Sequence, residues 1–351
     1  MLWANHGSGS SITKPAHPGS KPDASLRWEF DKTPRSNAME RAISALKIAT
    51  PFDLRATVLS HGWHECAPLS WCEAGACLQL VERRNDRVFR IGVTQSPRRN
   101  HRARLKLLVE AASLDDDDVE AMRRRVAVVL RVDEDLSEFY ALCRAHPRLR
   151  IIPRIGAGRT LRSYSMAENI LKMLCGTNVT WAQAVKMINR IAQLGPYLTD
   201  HRNLNAWPTA REILRAGGRY LLDVARVGYR ADAILEFCER ARAGELDPES
   251  FYRLADAEPT DVLLKRLLSI KGIGPSSAHY LLSMLGHYDH LSIDSATVAH
   301  VARVHTGGKK PTRGQIEKIY ARFGRWKQLA LWFEHWLSWD SARTIIAAHG
   351  T

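Results

Sequence analysis

Between Pro51 and Ala112 the chain carries short β-type runs: FDLRATVL, ACLQLVER, VFRIGVTQ and ARLKLLVEA, each rich in alternating or β-branched apolar residues. Turn-prone stretches at 84–86 and 96–100 divide them, so the pattern predicts an antiparallel sheet. The following segment, SLDDDDVEAMRRRVAVVL, changes to a helical period. Ser113 or Asp115 is its expected cap, and the acidic run Asp115 to Asp118 sits at the positive end of the helix. After Pro153 and the turn IGAGRT, apolar residues recur at three- and four-residue intervals from Ser165 almost to the end, with glycines and prolines between segments. The expected architecture is α+β in three parts. Residues 1–25, rich in Gly, Ser, Pro and His, read as a flexible tail; 26–152 form a β-rich N-terminal unit; 153–351 form a helical unit.

A length of 351 residues suits two packed units, and 45% hydrophobic residues with 10 Trp supply a sizeable core. No stretch offers the roughly 18 apolar residues of a membrane span. The first residues lack the apolar run of a secretory signal, so the expectation is a soluble, intracellular protein, cytoplasmic in a bacterium (with the nucleoid) or nuclear in a eukaryote. The net charge of +14 points to a polyanionic partner, nucleic acid ahead of membrane. Of the six cysteines, Cys66, Cys72 and Cys77 cluster with His61 and His64, but their spacings match no tetrahedral metal pattern. They read as buried thiols on short strands, and no metal site is expected.

The chemistry concentrates in DVLLKRLLSIKGIGPSSAHYLLSMLGHYDHLSIDSATVAHVARVH. A helix from Asp261 to about Ser269 runs into Lys271-Gly272-Ile273-Gly274-Pro275, and a second helix follows to Gly286. Two glycines one residue apart permit a tight turn with bare backbone, and Pro275 suits a first helical turn. The N–H groups at that helix start can hold a phosphate oxygen, and Ile273 can pin the two helices together. A glycine-turned αα-corner explains the turn equally well on local grounds. Asp294, in LSIDSATV, reads by itself as a helix cap; placed at a dry site, its carboxylate can stabilise the positive charge that a sugar develops as its glycosidic bond breaks.

KGIGPSSA followed by LSIDSATV resembles the helix-hairpin-helix–Gly/Pro-Asp (HhH-GPD) superfamily of DNA base-excision glycosylases, of the 3-methyladenine and 8-oxoguanine type. MAENILKMLCGTNVTWAQAVKMINRIA is similar to the helix-loop-helix that wedges the duplex, VGYRA to the LGYRA segment, and GRWKQLALWF to the last helix of that family. FDLRATVLSHGW and the strands resemble its TATA-box-binding-protein-like N-terminal domain. The resemblance implies a hairpin of Lys271, Gly272, Ile273, Gly274 and Ser276 that grips duplex DNA carrying a damaged base, with a monovalent cation, K+ or Na+, on its carbonyls and no other cofactor required. It implies a catalytic Asp294, a wedging Asn178, and a base pocket with Gln328 and Trp332 in a protein acting as a monomer; Trp326, in the same segment, is a further candidate stacking surface for the base. His61 and Gly62 of the sheet unit are also candidates to reach that pocket.

Two departures refine the expectation. Bifunctional members carry a lysine where this chain has Ser276, whose hydroxyl cannot form a Schiff base. A monofunctional hydrolase that releases an alkylated or oxidised purine is therefore expected; a glycosylase/lyase and a catalytically inactive, lesion-sensing DNA-binding protein remain the alternatives. No cysteine follows Cys238, so no four-cysteine iron–sulfur cluster is expected at the C-terminal end. Gln183 stands where relatives place an arginine for the orphaned base.

Overall fold

The computed structural model describes residues 39–99, 102–198 and 205–350; the tail expected over 1–25 lies outside them. Strands β1 (Glu40–Ala49), β2 (Leu69–Cys72), β3 (Cys77–Arg84), β4 (Arg87–Arg99) and β5 (Arg102–Ala111) form one antiparallel sheet in the order β1-β5-β4-β3-β2. Alternation fixes the register. Ile91 stands opposite Leu80 and Val109, and together with Phe89, Leu105 and Leu107 these side chains are buried. FDLRATVL is not a strand. Its Asp53 caps helix α1 (Leu54–Leu59), accepting the Ala56 N–H at 2.8 Å, and Leu54, Ala56, Thr57 and Val58 are all buried. A short run that is apolar on every side has no period to distinguish strand from helix. β1 and β2 lie outside the runs that the sequence pattern marked.

Helix α2 (Asp116–Leu130) packs on β1 and β5. Asp115 caps it, and the buried Asp118 forms ion pairs with Arg84 and Arg87 of the β3–β4 hairpin. Short helices α3 (Ser137–Ala145) and α4 (Ile151–Arg154) lead into the helical part. There α5 (Met166–Cys175), α6 (Trp181–Ala192), α7 (Ala210–Arg219), α8 (Ala231–Ala243) and α9 (Ser250–Leu254) precede the hairpin, which is made of α10 (Thr260–Leu268) and α11 (Pro275–Met284). α12 (Ser295–His305), α13 (Arg313–Tyr320), α14 (Lys327–Trp336) and α15 (Asp340–Ala348) follow.

Two hydrophobic cores run through these elements. One joins the sheet to α5, α6, α8, α10 and α11; the other joins residues 136–157 to α12–α15. Each core therefore contains residues from both sides of the boundary at 152/153. Cys66 and Cys77 are buried, which raises both thiols to about 12, and Cys72 stands opposite Cys77 across β2 and β3. Among the described residues no group of three His, Cys, Asp or Glu is placed to hold a metal, and no helix is long and apolar enough to cross a membrane.

Candidate active site

The hairpin turn is held from inside. Ile273 is buried, and its N–H donates to the Ile270 carbonyl at 3.0 Å. Gly272 has φ +83°, and a Cβ there would meet Leu174 Cδ2 at 2.8 Å and Ala233 Cβ at 3.1 Å, so this glycine is required by both backbone and neighbours. Gly274 caps α11 with extended backbone, and a Cβ there would meet nothing within 4 Å. Pro275 takes the first helical position. Lys271 reaches Glu236 at 3.2 Å on the surface.

This turn lines an open cleft of about 550 Å³. Lys271, Gly272, Gly274 and Ser276 of the hairpin line it together with Asn178, Tyr229, Arg230 and Asp294. Asn178 adopts φ +51° in the exposed loop between α5 and α6, and its Nδ2 donates to the Tyr229 hydroxyl at 3.1 Å. Tyr229 is 67% exposed, an unusual place for a large aromatic. Beneath them Arg230 is buried and donates to the carbonyls of Thr177 and Val227, which fixes the path of the loop. Gln183 is committed to the cap of α6, accepting the Thr180 N–H at 3.1 Å.

Asp294 caps α12. Its Oδ1 accepts the Thr297 N–H at 2.8 Å, so the helix start holds one oxygen in place. Burial pushes its carboxyl above the usual range, and the Thr297 and Ala296 N–H groups act against that shift. Besides the cleft, the same carboxylate lines a small interior pocket with Tyr280, Ser292, Gln328, Leu331, Trp332 and His335. The free volume there, about 20 Å³, suits one water molecule rather than a purine, so the walls must part for a base to enter. Gln328 is buried, and its Oε1 accepts the Ser292 N–H at 2.7 Å, which leaves the amide NH2 as the group offered to a ligand. The Ser276 hydroxyl bonds that of Ser292 at 3.1 Å, linking the hairpin to the pocket.

His61 comes from the sheet side but does not line the pocket; it packs behind Trp332 and Tyr280, which do. It is buried, stacks on Trp332 at 5.4 Å, and pairs through Nε2 with the Tyr280 hydroxyl. Its Nδ1 accepts the Trp63 N–H, and burial holds the ring well below its ordinary pKa, hence neutral. Trp332 itself donates to the Ser60 carbonyl at 3.0 Å. Trp326, by contrast, is not in this pocket. Gly324, at φ +53°, breaks the chain before α14, and Trp326 packs between Phe139 and Tyr288 in the second core. Tyr280, Ser292 and His335 escaped the sequence reading. The face of α14 was the available signal: Gln328, Leu331, Trp332 and His335 are spaced i, i+3, i+4, i+7.

Behind the pocket, Glu334 ties three helices together. Its Oε2 accepts from Tyr320 at 2.5 Å, His305 at 2.7 Å and His300 at 3.4 Å. Burial alone would raise its pKa, but these bonds hold it at about 2 against an ordinary 4.5. A depressed carboxylate contributes stability that is fully present above the unfolded value and is lost as pH falls toward the folded one. Glu334→Gln is therefore expected to lower the thermal midpoint at pH 7, and the gap to the unaltered protein should close as pH drops from 4.5 toward 2. A gap that stays constant over that range would show that the charge is not the source.

No family profile matches the chain. It is 24% identical over 209 residues to a DNA-3-methyladenine glycosylase of Bacillus subtilis (strain 168), covering 58% of this chain and 67% of that protein. The structure is similar to a 3-methyladenine DNA-glycosylase from Archaeoglobus fulgidus, with a TM-score of 0.65, 21% identity, and 84% of this chain against 98% of that one. It is also similar to a Clostridium acetobutylicum 8-oxoguanine glycosylase/lyase in complex with double-stranded DNA containing cytosine opposite 8-oxoguanine (TM-score 0.64, 15% identity, 86% and 97% covered). The chain has the helix-hairpin-helix DNA glycosylase fold. Within that fold an antiparallel sheet followed by a mostly helical part is the architecture read from the sequence, and the cleft lies where the hairpin, the α5–α6 loop and Asp294 meet.

Proposed function

We propose that this protein is a monofunctional DNA glycosylase of base-excision repair, a monomer that hydrolyses the N-glycosyl bond of a damaged purine in duplex DNA. One observation carries the reading: Asp294 stands in the wall of both the open cleft and the interior pocket, and the hairpin and Asn178 line that cleft with it. A strand gripped at Gly272, Gly274 and the start of α11 would lie along the cleft, its phosphate opposite first-turn N–H groups that lack an intrahelical acceptor. Asn178, with Tyr229 beside it, would fill the gap left by the extruded nucleotide. The base would enter between Trp332 and Tyr280, where the Gln328 amide can donate to its edge. As the bond to the base breaks, its electron pair leaves with the base, and the Asp294 carboxylate stabilises the positive charge on the sugar until water adds.

A K+ or Na+ ion fits the hairpin. The Ser269 and Ile270 carbonyls are taken by Arg240 and the Ile273 N–H, while among the described residues no N–H reaches those of Lys271, Gly272 or Ile273. These three would hold the cation, which neutralises phosphate charge there. The absence of lyase chemistry rests on Ser276, which lacks an amine, and on Lys271, which is drawn to Glu236.

The test is incubation with duplexes carrying single alkylated or oxidised purines, with and without alkali, and with borohydride. Base release that leaves an alkali-labile site and no trapped adduct is the expected result. A borohydride adduct would make the protein a glycosylase/lyase, and binding without release would make it a lesion-sensing protein.

A further inference from the structure

The pocket face of α14 ends on His335, which no step above uses. Its side chain is nine-tenths buried (8% exposed) and lines the pocket together with Asp294, Gln328 and Trp332. Its ring lies against His300 at 4.7 Å and edge-on to Trp339 at 6.0 Å. Among the described residues, neither ring nitrogen has a hydrogen-bond partner. Neither nitrogen is among the fully buried, unpartnered atoms of the described residues, so both stay open to a ligand in the pocket. Gln328 gives the complementary observation: the Ser292 N–H orients its oxygen, and no acceptor among the described residues takes its amide NH2.

We propose that His335 is a specificity-determining residue, hydrogen-bonding the edge of the flipped base, and that with the Gln328 amide it selects 6-oxopurine lesions over 6-aminopurine lesions. This rests on the glycosylase reading. An amide NH2 matches the O6 acceptor of a guanine- or hypoxanthine-type base and opposes the N6 amino group of an adenine-type base. Burial, followed by the neighbouring His300 and Arg303 charges, depresses His335 to about 3, so the imidazole is neutral at working pH. It then offers one donor and one acceptor to a base edge and no charge to a phosphate. A polar site of this kind rejects bases whose edge leaves it unpaired.

The experiment compares kcat/KM on duplexes containing hypoxanthine or 8-oxoguanine with those containing 3-methyladenine or 7-methyladenine, which keep the N6 amino group, for the unaltered protein, His335→Phe and His335→Gln. Affinity for an abasic duplex is measured alongside, to confirm that each variant is folded. The unaltered protein should favour the 6-oxopurines. His335→Phe should lose about 10–100-fold on them alone, as one paired polar group is removed, and His335→Gln, which keeps a donor and an acceptor, should recover most of the loss. Equal losses on both classes, no loss, or a preference for the 6-aminopurines would overturn the proposal while leaving the glycosylase reading intact. Release of no base from any duplex by the unaltered protein overturns both.

Discussion

Asp294→Asn lowers single-turnover base release by on the order of 10²–10⁴-fold, with the fold intact and affinity for lesion duplex unchanged or raised. The size follows from charge: an amide has the shape of the carboxylate but cannot balance a cationic sugar. The retained fold follows from the cap, because Asn accepts the Thr297 N–H about as well as Asp does. Removing a charge that burial disfavours also relieves a cost, so the thermal midpoint holds or rises. Rates and duplex affinity measured together decide the matter. Unchanged release would remove Asp294 from the chemistry, whereas a fall in melting temperature matching the lost activity would make it only a cap. On the acid side, the rate of the unaltered protein should decline at a pH above the ordinary carboxylate value of about 3.9, as Asp294 gains a proton.

The second large effect separates two glycines that look alike in sequence. Gly272→Ala forces an L-residue into left-handed backbone, at about 1–2 kcal/mol. It also drives a methyl into Leu174 and Ala233, at about 1–3 kcal/mol. The expected loss of unfolding free energy is about 2–5 kcal/mol, a large share of a typical domain's stability. Gly274→Ala meets nothing and needs no unusual backbone, so stability barely changes. It nevertheless faces the cleft, where a methyl would keep a phosphate away from the helix start, and DNA affinity should fall. Urea midpoints and duplex titrations on the two variants check this. Equal stability losses would mean that the hairpin is looser than its contacts imply, and undiminished binding by Gly274→Ala would move the DNA away from this turn.

Much of this was legible in the chain because the decisive features are local. KGIGP states its turn in two glycines and a proline, and LSIDSATV states a cap; α5, α12 and α14 begin and end close to where their periodicity does. What stayed hidden depended on distant partners. FDLRATVL carries strand-type residues and folds as a helix because Asp53 caps it and the core surrounds it. Trp326 and Trp332 stand six positions apart in one apolar stretch, yet Trp326 packs on Phe139 and Tyr288 while Trp332 lines the pocket with Asp294. Tyr280 gains its place in the pocket from His61, whose position more than two hundred residues upstream gives no local sign of that contact.

The indole N–H groups of Trp332 and Trp336 donate to the backbone oxygens of Ser60 and Leu59, both at 3.0 Å. Main-chain acceptors are indifferent to which side chain they carry but not to where the chain runs. Point changes at these two positions would leave the aromatic wall standing, whereas an insertion or deletion there would retune it. The pocket wall is therefore tied, through Trp332, to the course of the main chain at the end of α1, which itself lines no part of that pocket.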